Sequence, residues 1–327
     1  MTNRVLTVDQ VMKAQARARP RRASGQGDVI FKALAQGSGV FVLLLLGAII
    51  VLLFLGALPA LRAAGPGFLV SPAWNPVTER FGALVSVYGT LVSSVLALIL
   101  AVPLAFGVAY FLTELATPKL RQPIGTAVEL LAAVPSIIYG MWGFFALAPW
   151  LTAHVEPLLA GSLGRLPVVG AVFAPAAGNA SLFTAAVVLA VMVVPFLAAT
   201  MRDVFLTVPP MFKESAFGLG CTKWEVMRNV VLPYTRASVV GGIMLGLGRA
   251  LGETMAVTFV IGNTNRISPS VFAPGNTIAS LVALEFPEAD QGSLHLSALM
   301  ALGFILFVIS FVVLAISRLL LRKGAPA

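Results

Sequence analysis

Charged residues are scarce in this chain of 327 residues, where only 11% are Asp, Glu, Lys or Arg. A soluble domain carries about 25% charged residues, so this composition cannot cover a water-facing surface. Hydrophobic residues make up 58%, which is more than one or two soluble domains of this length can bury. The composition therefore excludes a soluble enzyme and indicates that several segments face lipid.

Cysteine and histidine are almost absent, since Cys221 is the only cysteine and His154 and His295 are the only histidines. A single cysteine excludes an intramolecular disulfide and a cysteine zinc cluster, and the two histidines lack the spacing of metal ligands. We therefore expect no metal site. The phosphate-loop pattern G-x-x-x-x-G-K-[ST] does not occur either, so any ATP is expected to be handled by a partner.

Long apolar runs are abundant, and six of them reach the length of about 20 residues that a helix needs to cross a membrane. The first follows a long basic run and is too long for a cleaved signal peptide, so we expect it to stay as an anchor. The sequence therefore predicts an all-α membrane protein. Its six transmembrane helices are expected at roughly Ser38–Leu61, Tyr88–Leu112, Ile124–Leu151, Leu182–Met201, Ser238–Ile261 and Leu294–Ser317.

The net charge of +9 would suggest a nucleic-acid partner in a soluble chain, but the placement of the cations indicates a membrane orientation instead. If the N-terminus is cytoplasmic, seventeen of the 22 Lys and Arg residues fall on that side, four fall on the other and Arg249 lies within a span. Such a bias orients membrane proteins. We therefore expect both termini in the cytoplasm and no nucleic-acid partner.

The predicted organisation follows from these spans and this orientation. It comprises a basic cytoplasmic arm at 1–36, a first transmembrane helix at 38–61, a core of five further helices at 82–318 with a cytoplasmic loop at 202–233, and a cytoplasmic tail at 319–327.

Prolines lie inside three of the predicted spans, at Pro103, Pro135 and Pro195. Proline removes a backbone donor and tends to kink a helix. Broken helices are common in transporters, although proline is frequent in membrane helices generally. We interpret the three prolines as candidate helix-breaking positions.

The fifth predicted span contains an Arg and a Glu four residues apart, Arg249 and Glu253. Arg249 is expected about 18 Å from the cytoplasmic end of a continuous helix, near the middle of the membrane. Glu253 would then lie on the same helical face, within pairing reach.

Two interpretations of this charged pair are open. In one, the charges neutralise each other, and Gly242, Gly246 and Gly252 only let another helix approach closely. In the other, this helical face lines a pathway in which Arg249 binds an anionic solute. A guanidinium suits that task, because its rigid fork of donors matches a tetrahedral oxyanion. Glu253 would hold Arg249 in place or accept a hydrogen bond from a protonated phosphate. The depth favours the second, since ionisable residues there usually face a cavity.

The cytoplasmic loop between the fourth and fifth spans predicts two short helices, at about 206–217 and 222–230, with a sharp turn at Gly220. Thr222 and Glu225 have the spacing of a capping box at the start of the second helix. Several apolar side chains on this loop need a partner groove to bury them: Phe205, Phe212, Phe217, Trp224, Val226 and Met227.

The same loop carries a recognisable motif. Glu214-Ser215-Ala216, then Gly220, then Val230-Val231-Leu232-Pro233 is similar to the E-A-A---G---------I-x-L-P loop of ABC-importer permeases. Ser215 replaces Ala and Val230 replaces Ile, and both departures are mild.

Longer stretches resemble one group of these permeases, the phosphate-specific transport permeases of the PstC type. The resemblance covers roughly residues 80–320 and leaves the basic arm outside. The stretches that carry it are Glu129–Gly143, Met201–Phe205, Lys213–Val226 and Gly241–Asn263.

The resemblance implies a six-helix type I ABC importer fold (MetI-like) in a bacterial cytoplasmic (inner) membrane. It also implies a second permease of the PstA type, two copies of a PstB-type ATPase and an extracytoplasmic phosphate-binding protein of the PstS type. Glu214, Ser215, Ala216 and Gly220 would belong to the loop that seats in the ATPase, and Arg249 and Glu253 to the phosphate pathway. The chain itself would have no catalytic residues and no cofactor.

Other functions stay open on the residues alone. A permease of the same class for sulfate or molybdate would also use Arg249. A stand-alone anion carrier or channel would use Arg249 and Glu253 as a relay and would be active without partners. A membrane-embedded enzyme is disfavoured because the spans hold no suitable His/Asp/Ser set.

Overall fold

The computed structural model describes residues 26–167 and 170–323 of the chain. Residues 1–25 and 324–327, which hold most of the predicted basic arm and the end of the predicted tail, lie outside the described residues. The helices, in chain order, are α1 (Gln26–Ala64), α2 (Gly67–Val70), α3 (Leu84–Tyr110), α4 (Pro118–Ala132), α5 (Ser136–Trp142), α6 (Ala148–Trp150), α7 (Glu156–Ser162), α8 (Leu182–Leu206), α9 (Pro210–Gly218), α10 (Lys223–Val226), α11 (Leu232–Leu251), α12 (Met255–Val260), α13 (Ile278–Glu285) and α14 (Leu294–Lys323).

Short segments of other geometry join several of these helices. The π-helical segments are Phe111–Leu115, Gly143–Leu147, Leu151–Val155 and Met227–Val231, and the 3₁₀ turns are Leu163–Arg165, Gly170–Phe173 and Phe286–Glu288. Two strands, β1 (Trp74–Asn75) and β2 (Arg80–Phe81), pair antiparallel.

Six stretches within the described residues are long and apolar enough to cross a membrane, which confirms the predicted number. They are Gly27–Ala64, Leu84–Leu115, Ser136–Arg165, Leu182–Leu206, Lys223–Leu251 and Leu294–Leu319. The third and fifth stretches differ most from the prediction.

The third predicted span, 124–151, is wrong in its bounds because the chain breaks inside it. α4 ends at Ala132, and Pro135 precedes α5 in an extended conformation (ψ 135°). Proline disfavours helical geometry in the residue before it, so the break falls where the sequence requires it. Pro135 therefore separates two helices, whereas α3 and α8 continue through Pro103 and Pro195, so the prediction that these two prolines break a helix is wrong.

The fifth predicted span, 238–261, is also two helices rather than one. α10, the π segment and α11 run continuously from Lys223 to Leu251, so this helix begins well before the predicted start. The chain then leaves helical geometry at 252–254 and resumes it in α12. Gly252 and Thr254, both poor helix formers, occupy the break.

Two terminal bounds also differ from the prediction, because hydropathy marks where lipid begins rather than where a helix begins. Residues 26–36, predicted as part of the arm, are the first turns of α1, with Asp28 near its positive N-terminal end. At the other end, α14 continues to Lys323 and so includes the beginning of the predicted tail.

The chain divides into two compact units, Met1–Val51 and Leu52–Ala327. Of the first unit the structure describes 26–51, a stretch of α1 whose side chains are largely exposed. The second unit contains the packed core.

The most extensive helix contact in the second unit is between α3 and α8. Alanine recurs every fourth residue on the buried face of α3, and small residues at this spacing let two helices approach closely. These alanines are at most 1% exposed: Ala97, Ala101, Ala105 and Ala109. The same buried cluster contains Leu189, Val193 and Leu197 of α8.

A smaller buried cluster of the second unit surrounds the β-hairpin. The indole nitrogen of Trp74 donates to Glu285 at 2.8 Å, and His295 lies 2.7 Å from the same carboxylate oxygen. Phe81 stacks on His295 with ring centroids 5.6 Å apart. His295 thus has a structural role, since it joins α14 to the hairpin and to α13.

Candidate functional site

The glycines of α11 contribute to a close helix contact. A Cβ atom on Gly242 would lie 3.0 Å from Thr200, and one on Gly246 would lie 2.7 Å from Leu197, both on α8. By contrast, nothing lies within 4 Å of the corresponding position on Gly248. Gly242 and Gly246 therefore let α8 approach α11 closely, as a G-x-x-x-G pair does. This agrees with the packing interpretation of these glycines.

Arg249 lies outside that packed strip, in the last turn of α11, and its side chain is exposed. Its guanidinium carbon is 5.7 Å from the ring centre of Phe196 on α8, which is within cation–π range. Within the part of the chain that the structure describes, no ion pair within 4.0 Å involves Arg249. The guanidinium is therefore positioned by an aromatic face and keeps its donors available.

Glu253 does not share a helical face with Arg249, because the helix ends at Leu251. The prediction of an i, i+4 pair on one continuous helix is wrong for this reason. Glu253 lies in the break, half-buried, and its carboxylate accepts a 3.4 Å hydrogen bond from the backbone of Ala256. This bond satisfies a free N–H in the first turn of α12.

The two interrupted segments of the chain pack against each other. A Cβ atom on Gly140 of α5 would lie 2.9 Å from Cα of Ala256 on α12, and one on Gly143, just after α5, would lie 3.3 Å from the side chain of Val260 on α12. This contact was not predicted from the sequence, although Gly140 and Gly143 are a signal for close packing. The structure thus brings the interruption around Pro135 close to the helix that follows Arg249.

The loop between α8 and α11 has the predicted first helix and turn, in α9 and at Gly220. The second predicted helix, 222–230, is wrong in its end, because α10 continues through the π segment into α11. Gly220 has φ +87°, in the left-handed region that favours glycine. Thr222 and Glu225 form both bonds of the predicted capping box. Glu214 and Ser215 are exposed on α9, and Ala216 is buried.

The apolar side chains of the loop divide into two groups. Phe205, Val226 and Met227 are 0% exposed and pack inside the chain itself, so the expectation that they need a partner is wrong. Others stay exposed and form what we call the loop patch: Met211 (67%), Phe212 (46%), Phe217 (40%) and Leu219 (87%). Trp224, which was also predicted to need a partner, is 50% exposed. An exposed apolar group on a helix–turn motif is typical of a protein–protein contact.

Three ion pairs lie near the loop, and the two that join distant parts of the chain, Lys213–Glu114 and Arg202–Glu129, were not foreseen from the sequence. Lys213 Nζ lies 2.6 Å from a carboxylate oxygen of Glu114. Arg202 bonds Glu129 at 2.7 Å and Asp203 at 2.9 Å. Sequence spacing gives no signal for such long-range pairs.

Within the described residues, no group of three His, Cys, Asp or Glu side chains is placed to hold a metal ion. The guanidinium of Arg249 can bind an anion by hydrogen bonds and charge. The loop, for its part, presents an apolar surface with a nearby acidic residue.

Comparison with known proteins identifies the type of fold and its relatives. Residues 101–324 match the family described as binding-protein-dependent transport system inner membrane component. The phosphate transport system permease protein PstC of Mesorhizobium japonicum is 54% identical over 296 residues, covering 90% of each chain. PstC of Pasteurella multocida is also 54% identical, over 90% of this chain and 92% of its own. PstC 2 of Mycobacterium tuberculosis is 40% identical over 91% of this chain and 92% of its own.

Solved structures with the same fold are ABC transporters. A chain of a bacterial alginate ABC transporter, crystallised with an alginate-bound periplasmic protein, matches 91% of this chain and 96% of its own at a TM-score of 0.60 and 15% identity. A chain of the inward-facing MetNI methionine ABC transporter matches 74% of this chain and 95% of its own at a TM-score of 0.56 and 14% identity. At such identities the likeness shows the fold alone.

Proposed function

Because this chain belongs to the family of binding-protein-dependent transport system inner membrane components, we propose that it is the permease subunit of an ATP-driven importer that moves inorganic phosphate across the cytoplasmic membrane. We choose phosphate as the substrate because this chain is similar to a phosphate permease, with 54% identity over 90% of the chain. Because the similarity extends over nearly the full length of the chain, it includes both the loop at 202–233 and the broken helices.

The exposed guanidinium of Arg249 supports an anionic substrate. Its planar fork of N–H donors suits two oxygens of a phosphate, and the Phe196 ring holds it in place without taking up those donors. Glu253, at the break that follows, offers a carboxylate that accepts a hydrogen bond from a protonated phosphate oxygen. We assign both residues to the pathway, with Arg249 as the anion contact.

The cytoplasmic loop supports a partner ATPase. In our proposal Glu214, Ser215, Ala216 and Gly220 belong to the surface that docks in the ATPase, and the loop patch supplies its apolar contact. Two ATPase subunits of the PstB type bind the ATP, so this chain has no catalytic residues and no cofactor. A second permease of the PstA type and a phosphate-binding protein of the PstS type complete the importer.

The orientation follows from the distribution of the cations. We propose that both termini and the 202–233 loop face the cytoplasm of a bacterium, because seventeen cations lie on that side against four on the other. ATP closes the partner ATPases, and this closure moves the loop at 206–230. The broken helices then move as rigid bodies, so that the path opens alternately outward and inward. Pro103, Pro135 and Pro195 are the positions where we expect this motion to bend or separate helices.

The experiment that tests the substrate is competition for uptake. The complete importer is reconstituted in proteoliposomes with ATP inside, and uptake of labelled phosphate is measured with excess unlabelled phosphate, sulfate or molybdate outside. We expect only unlabelled phosphate to compete. Equal competition by sulfate or molybdate would favour a permease for another oxyanion.

A further inference from the structure

The cytoplasmic loop is linked by the chain to α8 and α11, but its first helix has an ion pair with a third element. Lys213 on α9 lies 2.6 Å from Glu114, which belongs to the π-helical segment Phe111–Leu115 at the end of α3. The Lys213 side chain is only 17% exposed and that of Glu114 only 9%. Exposed ion pairs contribute little, whereas breaking a buried one leaves an uncompensated charge and costs much more.

The second helix of the loop contacts the same end of α3. The ring of Trp224 on α10 lies edge-on to Tyr110 at 5.7 Å and to Phe106 at 6.4 Å. Phe205, at the end of α8, also packs edge-on against Phe106 at 5.8 Å. The two loop helices therefore contact α3 through one ion pair and one aromatic cluster.

The position of Glu114 depends on the π-helical geometry at the end of α3. In this segment the backbone N–H of Ala116 donates to the carbonyl of Phe111, five residues back, at 2.7 Å. A π-helical turn holds one more residue than an α-helical turn, and one residue corresponds to about 100° of rotation about the axis. The guanidinium of Arg121 also donates to the Thr113 carbonyl at 2.9 Å, which ties the segment to α4.

The other ion pair of this region provides a contrast. Arg202 bonds two carboxylates, Glu129 and Asp203, and these are 52% and 67% exposed. Loss of Glu129 leaves Arg202 with Asp203 and water. Lys213 and Glu114 are each other's only ion-pair partners within 4.0 Å among the described residues.

We propose that Lys213 and Glu114 are positioning residues that fix α9 to the end of α3, so that a displacement of the loop by the ATPase moves α3 together with the tightly packed α8. The inference rests on the proposed function, since it needs an ATPase that acts on the loop. In this arrangement the motion enters the membrane through α3, a helix that is not adjacent to the loop in the sequence. Without the pair, ATP hydrolysis continues but phosphate is moved inefficiently.

The test is a charge swap in the complete importer, reconstituted in proteoliposomes with its ATPase and binding protein. ATP hydrolysis and phosphate uptake are measured for Lys213→Glu, Glu114→Lys and the double variant. We expect each single variant to keep hydrolysis within about twofold and to lose about tenfold in phosphate moved per ATP, in the range of coupling energies between contacting residues. The double variant should regain at least about half of the original ratio.

A matched pair of milder variants gives the control. Glu114→Gln should lower the phosphate-to-ATP ratio, whereas Glu129→Gln, in the exposed pair, should leave it within about twofold of the original. If charge reversal prevents assembly, Lys213→Met is used instead, because it keeps the alkyl chain and removes only the charge. Hydrolysis with poor uptake is expected for it as well.

The outcomes separate this inference from the function it rests on. If the original importer shows no ATP-dependent phosphate uptake, the proposed function fails. If the original importer works, normal ratios in the single variants, or a double variant no better than either single one, would overturn the positioning role. A normal ratio for Lys213→Met would overturn it in the same way.

Discussion

At the scale of single residues, Arg249 lies in the last turn of α11, within a stretch long and apolar enough to cross a membrane, and its side chain is exposed beside Phe196. An Arg in contact with lipid is costly, so we propose that a second surface or a water-filled path faces it. Arg236, near the start of the same helix, is exposed too but lies toward the side that we propose is cytoplasmic, where cations are common. The two arginines therefore form a natural comparison.

We predict that Arg249→Gln lowers phosphate uptake by roughly thirtyfold or more, because truncating one partner of a hydrogen-bonded charge pair costs about 2 to 5 kcal/mol. Uptake of labelled phosphate by the reconstituted importer measures this. Arg236→Gln should retain most of the uptake, and both variants should co-purify with the ATPase. Near-normal uptake by Arg249→Gln would remove it from the pathway.

At the scale of helices, α11 shows two kinds of glycine two residues apart. Gly246 faces Leu197, which is 0% exposed, so its environment has no space for a methyl group. Gly248 has open space around its Cβ position. Glycine at an open helical position is unfavourable, whereas at a helix contact it permits the approach.

We predict opposite effects of adding a methyl group at these two positions. Gly246→Ala should destabilise the protein by roughly 1 to 3 kcal/mol through overpacking, and Gly248→Ala should stabilise it by up to about 1 kcal/mol through helix propensity. Thermal unfolding in detergent, followed by loss of the monodisperse peak, measures both. Equal stability of the two variants would show that α11 and α8 are not in close contact.

The turn of the loop between α8 and α11 depends on Gly220, whose φ of +87° costs an L-residue about 1 to 2 kcal/mol. We predict that Gly220→Ala weakens co-purification of the ATPase, because the strain displaces α9 relative to α10. Gly292→Ala is the matched control, since Gly292 has φ +79° with open space around it but lies in the loop between α13 and α14. If both variants retained the ATPase equally, the turn at Gly220 would not position the docking surface.

Many of the helices and caps could be predicted from the sequence, and the features that could not be predicted have physical reasons. Hydropathy counts apolar residues, so it finds six spans, and capping chemistry is local, so Thr222 and Glu225 are found as well. Hydropathy does not detect a break between two helices that are both apolar, such as the one at 252–254. Long-range pairs such as Lys213 with Glu114 depend on how helices pack, which a single sequence does not encode locally.

At the scale of the whole molecule, the orientation decides whether the loop can meet an ATPase. Cys221 adjoins Gly220 and is the only cysteine, so it reports the side of the loop without further changes. We predict that a membrane-impermeant maleimide labels Cys221 in inverted vesicles and not in intact cells. A variant with Cys221→Ser and Glu288→Cys, at an exposed position between α13 and α14, should show the reverse. Labelling of Cys221 from outside in intact cells would reverse the proposed orientation.

The dependence of transport on the partner ATPase is the most direct measure of what this chain does. We expect proteoliposomes with both permeases, the ATPase, the binding protein and internal ATP to accumulate labelled phosphate. The same vesicles without the ATPase, or with a non-hydrolysable ATP analogue, should accumulate none. Phosphate entry through the permeases alone, at a rate comparable to that of the complete importer, would contradict an ATP-driven permease and indicate a stand-alone carrier or channel.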